Sequence, residues 1–178
     1  MLVFLDTEFT DLAKPELLSL GLVAFNGLEH YGELDLTSDV GQARLEASSE
    51  FVRQVVLPQW GAVRGSAFPE PELGRRAAEF LLGLASRLSP ADGPLTVAFD
   101  YDVDFRLLEE AIGNAELLAR VRDARIAPLN VGPLAGNMTG DYEAQECLRS
   151  LEHRGIGRHH ALADALALRA AYLGGKRA

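Results

Sequence analysis

Carboxylates and imidazoles at three separate places in this 178-residue chain have types and spacings that could do chemistry. Asp6 and Glu8 stand two apart at the end of the apolar run Leu2-Val3-Phe4-Leu5. In an extended strand that separation puts both side chains on one face. Two adjacent carboxylates repel, and a hard divalent cation relieves the repulsion; a solvated strand end can carry the same pair. The second place is Asp100-Tyr101-Asp102-Val103-Asp104, directly after the apolar run Leu95–Phe99. Acids between a strand's carboxyl end and a helix start occupy a frequent site position in α/β proteins, and an Asp there can also cap the helix. The third is Arg158-His159-His160-Ala161-Leu162-Ala163-Asp164-Ala165. His160 and Asp164, four apart, share a helical face. His159 precedes the first turn and is freer to lean over a site. The bland alternative is a His cap, with Asp164 paired to Arg158 or Arg169.

The elements that must hold these groups follow from periodicity and punctuation. Leu2–Leu5 reads as a buried strand. Leu17–Phe25 is a second apolar run, interrupted by Gly21. Asn26-Gly27 is a two-residue hairpin signal, and Glu29–Leu36 returns. Residues 2–36 therefore predict a three-strand antiparallel meander. A short helix is expected over 47–57, ended by Pro58, and a loop over 62–70. A helix follows over 71–88 with Pro71 in its first turn. Then come a strand over 95–99, a helix over 104–112 and a short strand over 126–129. Residues 130–140, rich in Gly, Pro and Asn, read as irregular, and helices are expected near 140–151 and 159–173. This order predicts an α/β fold, a mixed sheet with the meander, flanked by helices, in one domain spanning 1–178.

The net charge of −9 argues against a protein that coats nucleic acid, which needs a basic footprint. It leaves room for an enzyme acting on a nucleic-acid end, because bound metal ions reverse the local field. Two lysines stand against fifteen arginines. Arg149, Arg154 and Arg158 are candidates for phosphate contacts or a solvated basic edge. No apolar run reaches the roughly 18 residues of a membrane span, and Asp6 and Glu8 break the opening run too early for a secretory signal. Cys147 is the single cysteine, so no internal disulfide forms. A cytoplasmic location is expected.

Taken together, the motifs form an ordered pattern: strand-D-x-E, an Asp at a helix start, then H-x4-D on a late helix. The residues are Phe4-Leu5-Asp6-Thr7-Glu8-Phe9-Thr10, Asp104-Phe105-Arg106-Leu107-Leu108 and His159-His160-Ala161-Leu162-Ala163-Asp164-Ala165. The pattern resembles the DEDDh branch of the 3′→5′ exonucleases, with the DTEF opening similar to an RNase T-like exoribonuclease subgroup. The resemblance implies a ribonuclease H-like fold and two Mg²⁺ or Mn²⁺ ions. Asp6 would bridge them, Glu8 and Asp164 would complete one site, and Asp104 would bind the other. His159 would be the base. The implied partner is the 3′ end of a single-stranded nucleic acid, RNA favoured over DNA, and nucleoside 5′-monophosphates would be released. Phe9 would stack on a terminal base, and Thr10 would sit beside it in the substrate pocket. Many relatives are dimers, so a homodimer is an expectation, with no interface legible. The family often has Thr-Gly where Phe9-Thr10 stands, and Asn where Asp100 stands. Asp102 thus competes with Asp104, and His160 with His159.

Two other readings compete. Leu95–Val103 resembles the first motif of HAD-type phosphatases, with Asp100 as nucleophile. That chemistry needs a downstream lysine, and Lys176 is the candidate. The chain could also be a nuclease-like domain kept as a catalytically inactive binding module.

Overall fold

A computed structural model describes residues 1–113, 115–132 and 138–176. Six strands are present: β1 (Leu2–Phe9), β2 (Leu17–Ala24), β3 (Glu29–Leu34), β4 (Ala67–Phe68), β5 (Leu95–Phe99) and β6 (Ile126–Asn130). They form one mixed sheet in the order β4-β3-β2-β1-β5-β6. The expected meander is there: β1 pairs antiparallel with β2, and β2 antiparallel with β3. Gly27 turns the hairpin at φ 90°, a conformation that suits glycine. The Ala24 amide closes the turn on the Leu28 carbonyl at 2.8 Å. β5 runs parallel to both β1 and β6. The carboxyl ends of these three strands therefore open on one edge of the sheet.

Strand alternation decides which layer each residue faces. Val3, Leu5, Leu20 and Leu22 face a core shared with α2 (Glu70–Ala85) and α3 (Asp102–Ile112). Phe4 and Ala98 face the other way, onto Leu168, Ala171 and Tyr172 of α6 (Ala161–Gly175). Val23 and Tyr31 join that second layer with α5 (Met138–Leu151). Each fully buried Leu, Val or Phe contributes about 1.5–3 kcal/mol, so register is strongly specified. Asp6 and Glu8 continue the Phe4 face, toward α6. Thr7 continues the Leu5 face, toward α3.

Gly21 is the residue of β2 that pairs with Asp6. A Cβ there would lie 2.4 Å from the Ala161 carbonyl oxygen and 2.7 Å from Leu162 Cα. The first turn of α6 thus rests directly on the sheet beside Asp6, an approach that only glycine permits.

Several local expectations need correcting. The helix placed over 47–57 divides. An α-helix, α1 (Asp39–Ala47), ends before it, and a π-helical turn (Val52–Val56) runs into a 3-10 turn (Leu57–Gln59). Ser38 starts α1 by accepting the Gly41 N–H at 3.1 Å, a capping signal that weak apolar rhythm conceals. Pro58 sits within the 3-10 turn, where its missing N–H costs nothing, and does not stop the segment. The loop over 62–70 includes β4, which pairs parallel with β3. α4 (Ala115–Asp123) was not expected. The last two helices span Met138–Leu151 and Ala161–Gly175. Residues 133–137 of the stretch read as irregular lie outside the described residues. Among the described residues, no helix is long and apolar enough to cross a membrane.

Candidate metal centre and active site

Residues far apart in the chain meet at the carboxyl end of β1. Ligand-capable atoms of Asp6, Asp100 and Asp104 all lie within 4.8 Å of one another, as do those of Glu8, His159 and Asp164. The two trios line one cleft of about 900 Å³. β1 supplies a member to each trio and so joins them. α6, seated on Gly21, brings His159 and Asp164 to the Glu8 side. α3 begins on the opposite layer, and its Asp104 reaches over the strand end toward Asp6.

Thr7 makes that reach specific. Its hydroxyl donates to Asp104 Oδ1 at 2.6 Å, a buried bond on the α3 side of the strand. Sequence reading passed over Thr7, although its position between two candidate ligands and its opposite strand face were both visible. Asp104 is 2% exposed, and its second oxygen, Oδ2, has no hydrogen-bond partner. Asp6 Oδ2 is also buried and unpartnered. A buried carboxylate oxygen without a partner is costly. Two of them in one trio of acids fit a hard divalent cation, which takes oxygen ligands and supplies the missing charge. Asp102 is in neither trio: it accepts a hydrogen bond from Asn130 Nδ2 at 2.9 Å and is exposed.

The electrostatics describe an uncompensated cluster. Burial pushes Asp6 well above the usual carboxylate range, and the charges of Asp104, Asp164, Glu8 and Asp100 add to the shift. Glu8 rises to about 8 through burial, then Asp164 and Asp104. Asp104 rises to about 7 through burial, against the opposing Thr7 hydrogen bond. Asp164 rises to about 6 through burial, opposed by the His159 N–H and Arg158. All four shifts have the sign that a bound cation reverses.

The two histidines have different surroundings. His159 sits at φ 64°, in the left-handed region where His is among the tolerated residues. Its backbone N–H donates to Asp164 Oδ2 at 2.7 Å. Its ring lies edge-on to Phe51, centroids 5.0 Å apart, and lines the cleft. Burial and Arg158 hold its pKa below the ordinary value, so the neutral imidazole predominates at neutral pH. His160 is 3% exposed and stacks on Tyr31 at 4.5 Å, within the layer between sheet and α6. It belongs to the core and not to the cleft lining.

Phe9 lines the cleft and stacks on Tyr101, centroids 6.3 Å apart. A register shift between Glu8 and Phe9 re-aims this residue. Thr10 lies elsewhere. It is buried, its hydroxyl donates to the Lys14 carbonyl at 3.2 Å and accepts from the Glu16 N–H at 3.2 Å. It closes the loop after β1 and does not face the cleft. Arg149 pairs with Glu146, and Arg154 with Glu29. Among the described residues, Arg158 is the cation on the lining. Arg169 is bound to the Phe25 carbonyl and leaves Asp164 to His159. Lys176 Nζ lies 4.6 Å from the centroid of the Tyr172 ring. It is about 18 Å along the helix from Asp164, far from a role beside Asp100.

Comparison with known protein families and with curated proteins found no match.

Proposed function

We propose that this protein is a metal-dependent 3′→5′ exonuclease of ribonuclease H-like architecture, acting on single strands with RNA favoured. The observation that carries the proposal is the meeting of the two trios around β1, with buried carboxylate oxygens that no protein donor satisfies. The order β3-β2-β1-β5-β6, an antiparallel meander continued by parallel strands, is consistent with that architecture. Asp6 and Asp104 would hold one Mg²⁺ or Mn²⁺, Glu8 and Asp164 the other, with Asp6 shared. Such a pair supplies Lewis acidity and activates water for in-line displacement at phosphorus.

The chain's own groups supply the rest. The His159 imidazole, neutral at pH 7, accepts the proton of the attacking water. Asp164, bonded to the His159 backbone, fixes where that ring stands. Phe9, backed by Tyr101, offers a flat apolar surface for the terminal base. Stacking there is worth about 1–3 kcal/mol and is tolerant of base identity. Arg158 is placed to hold the phosphate. The products would be nucleoside 5′-monophosphates.

The test is a time course with Mn²⁺ on RNA and DNA oligomers labelled at either end. 5′-labelled strands should shorten one nucleotide at a time, RNA faster than DNA, while 3′-labelled strands lose their label in the first step. Internal cuts, or no hydrolysis with any divalent ion, would refute the proposal.

A further inference from the structure

The turn between β5 and α3 brings in one more carboxylate. Asp100 is exposed at the rim, yet one of its oxygens lies within 4.8 Å of oxygens of both Asp6 and Asp104. Those two residues each carry a buried, unpartnered Oδ2, and Asp104 is 2% exposed. The strand end β6 holds this turn. Asn130 Nδ2 donates to Asp102, and Asn130 Oδ1 accepts from the Gly132 N–H at 3.0 Å. A Cβ on Gly132 would lie 3.2 Å from the Asp100 carbonyl oxygen and 3.5 Å from Asp100 Cβ. Asp102 is thereby engaged outward, and the backbone at Gly132 packs against Asp100.

We propose that Asp100 is a direct ligand of the cation held by Asp6 and Asp104. This rests on the metal reading above and adds a residue to it. With Asp100 the position has three carboxylates, one more than Asp6 and Asp104 give it alone. Affinity of such oxygen sites rises with ligand charge. Asp100 therefore tightens the position that Asp6 and Asp104 form.

The experiment is a calorimetric Mn²⁺ titration of the full chain near neutral pH, with thermal unfolding of the metal-free protein alongside. Wild type, Asp100→Asn and Asp102→Asn are compared. The expected result is two binding steps in wild type, one of them weakened at least ~10-fold by Asp100→Asn. Asp102→Asn should titrate like wild type. Metal-free Asp100→Asn should melt higher than wild type, because a like charge has left the cluster. Normal wild-type binding with an unaltered Asp100→Asn titration overturns this inference alone, as does a loss confined to Asp102→Asn. Wild type that binds no Mn²⁺ overturns the metal reading as well.

Discussion

His159 and His160 are adjacent in sequence but differ in surroundings, and that difference is measurable. Replacing His159 with Ala should lower turnover about 10²–10⁴-fold, the usual contribution of a positioned base. Stability should change little, because the ring is only half-buried. His160→Ala removes a buried ring stacked on Tyr31 and should cost about 1–3 kcal/mol in urea unfolding while retaining most activity in the folded fraction. Equal activity losses would contradict this assignment. Asp6→Ala and Asp164→Ala should each lower hydrolysis at least ~100-fold with the fold kept. The acids also set a pH dependence. Folded-state values of about 8 for Glu8, 7 for Asp104 and 6 for Asp164 lie above the ordinary 4.5, 3.8 and 3.8. The folded chain then binds more protons than the unfolded one, so metal-free stability should fall as pH rises between about 4 and 8. Saturating Mn²⁺ should remove that fall, because it replaces the protons. Melting curves across this range, with and without the ion, check both signs. A metal-free melting point that rises with pH would contradict the cluster's electrostatics.

At the scale of elements, the site depends on how closely α6 approaches β2. Gly21→Ala places a Cβ against backbone atoms that cannot yield as a side chain can. It should destabilise by about 1–3 kcal/mol and lower activity at least ~10-fold by moving His159 and Asp164 off the Asp6 side. Unfolding curves and turnover measured together would show both; wild-type activity at reduced stability would contradict this account of positioning. The sequence made much of this visible. The alternation of β1 put Asp6 and Glu8 on one face, Asn26-Gly27 marked the hairpin, and the apolar rhythm marked α2, α3 and α6. Tertiary contributions were not visible. Gly21 read as an interruption of a strand, because the helix that needs the gap lies some 140 residues later. Thr7 read as filler between two acids, because its partner Asp104 comes from the opposite layer. Asp102 and Asp104 could not be separated without Asn130, whose amide engages Asp102, while Asp104 meets Asp6. α1 and α4 were missed because short, polar helices have weak periodicity and depend on caps and packing.

At the scale of the whole molecule, several arginines are committed to acids away from the cleft. Arg75 and Arg76 pair with Glu72, Arg106 with Glu110, Arg122 with Glu109 and Arg154 with Glu29. The cleft itself carries Asp11, Asp141 and Arg158 besides the cluster. With a net charge of −9, the cleft lining offers a strand's phosphates Arg158 among the described residues. The logarithm of kcat/KM should therefore fall with log salt at a slope near −1, given about −0.7 per neutralised phosphate on a single strand. A slope steeper than about −3 would require four or more such contacts and would contradict this charge distribution. The central claim, that carboxylates distant along the chain meet to hold a pair of divalent ions, has a direct measurement: anomalous scattering from crystals of the protein soaked in Mn²⁺. The account predicts two peaks about 3.5–4 Å apart, one against Asp6, Asp100 and Asp104, the other against Glu8 and Asp164. No peak at saturating Mn²⁺, or a single peak away from Asp6, would contradict it.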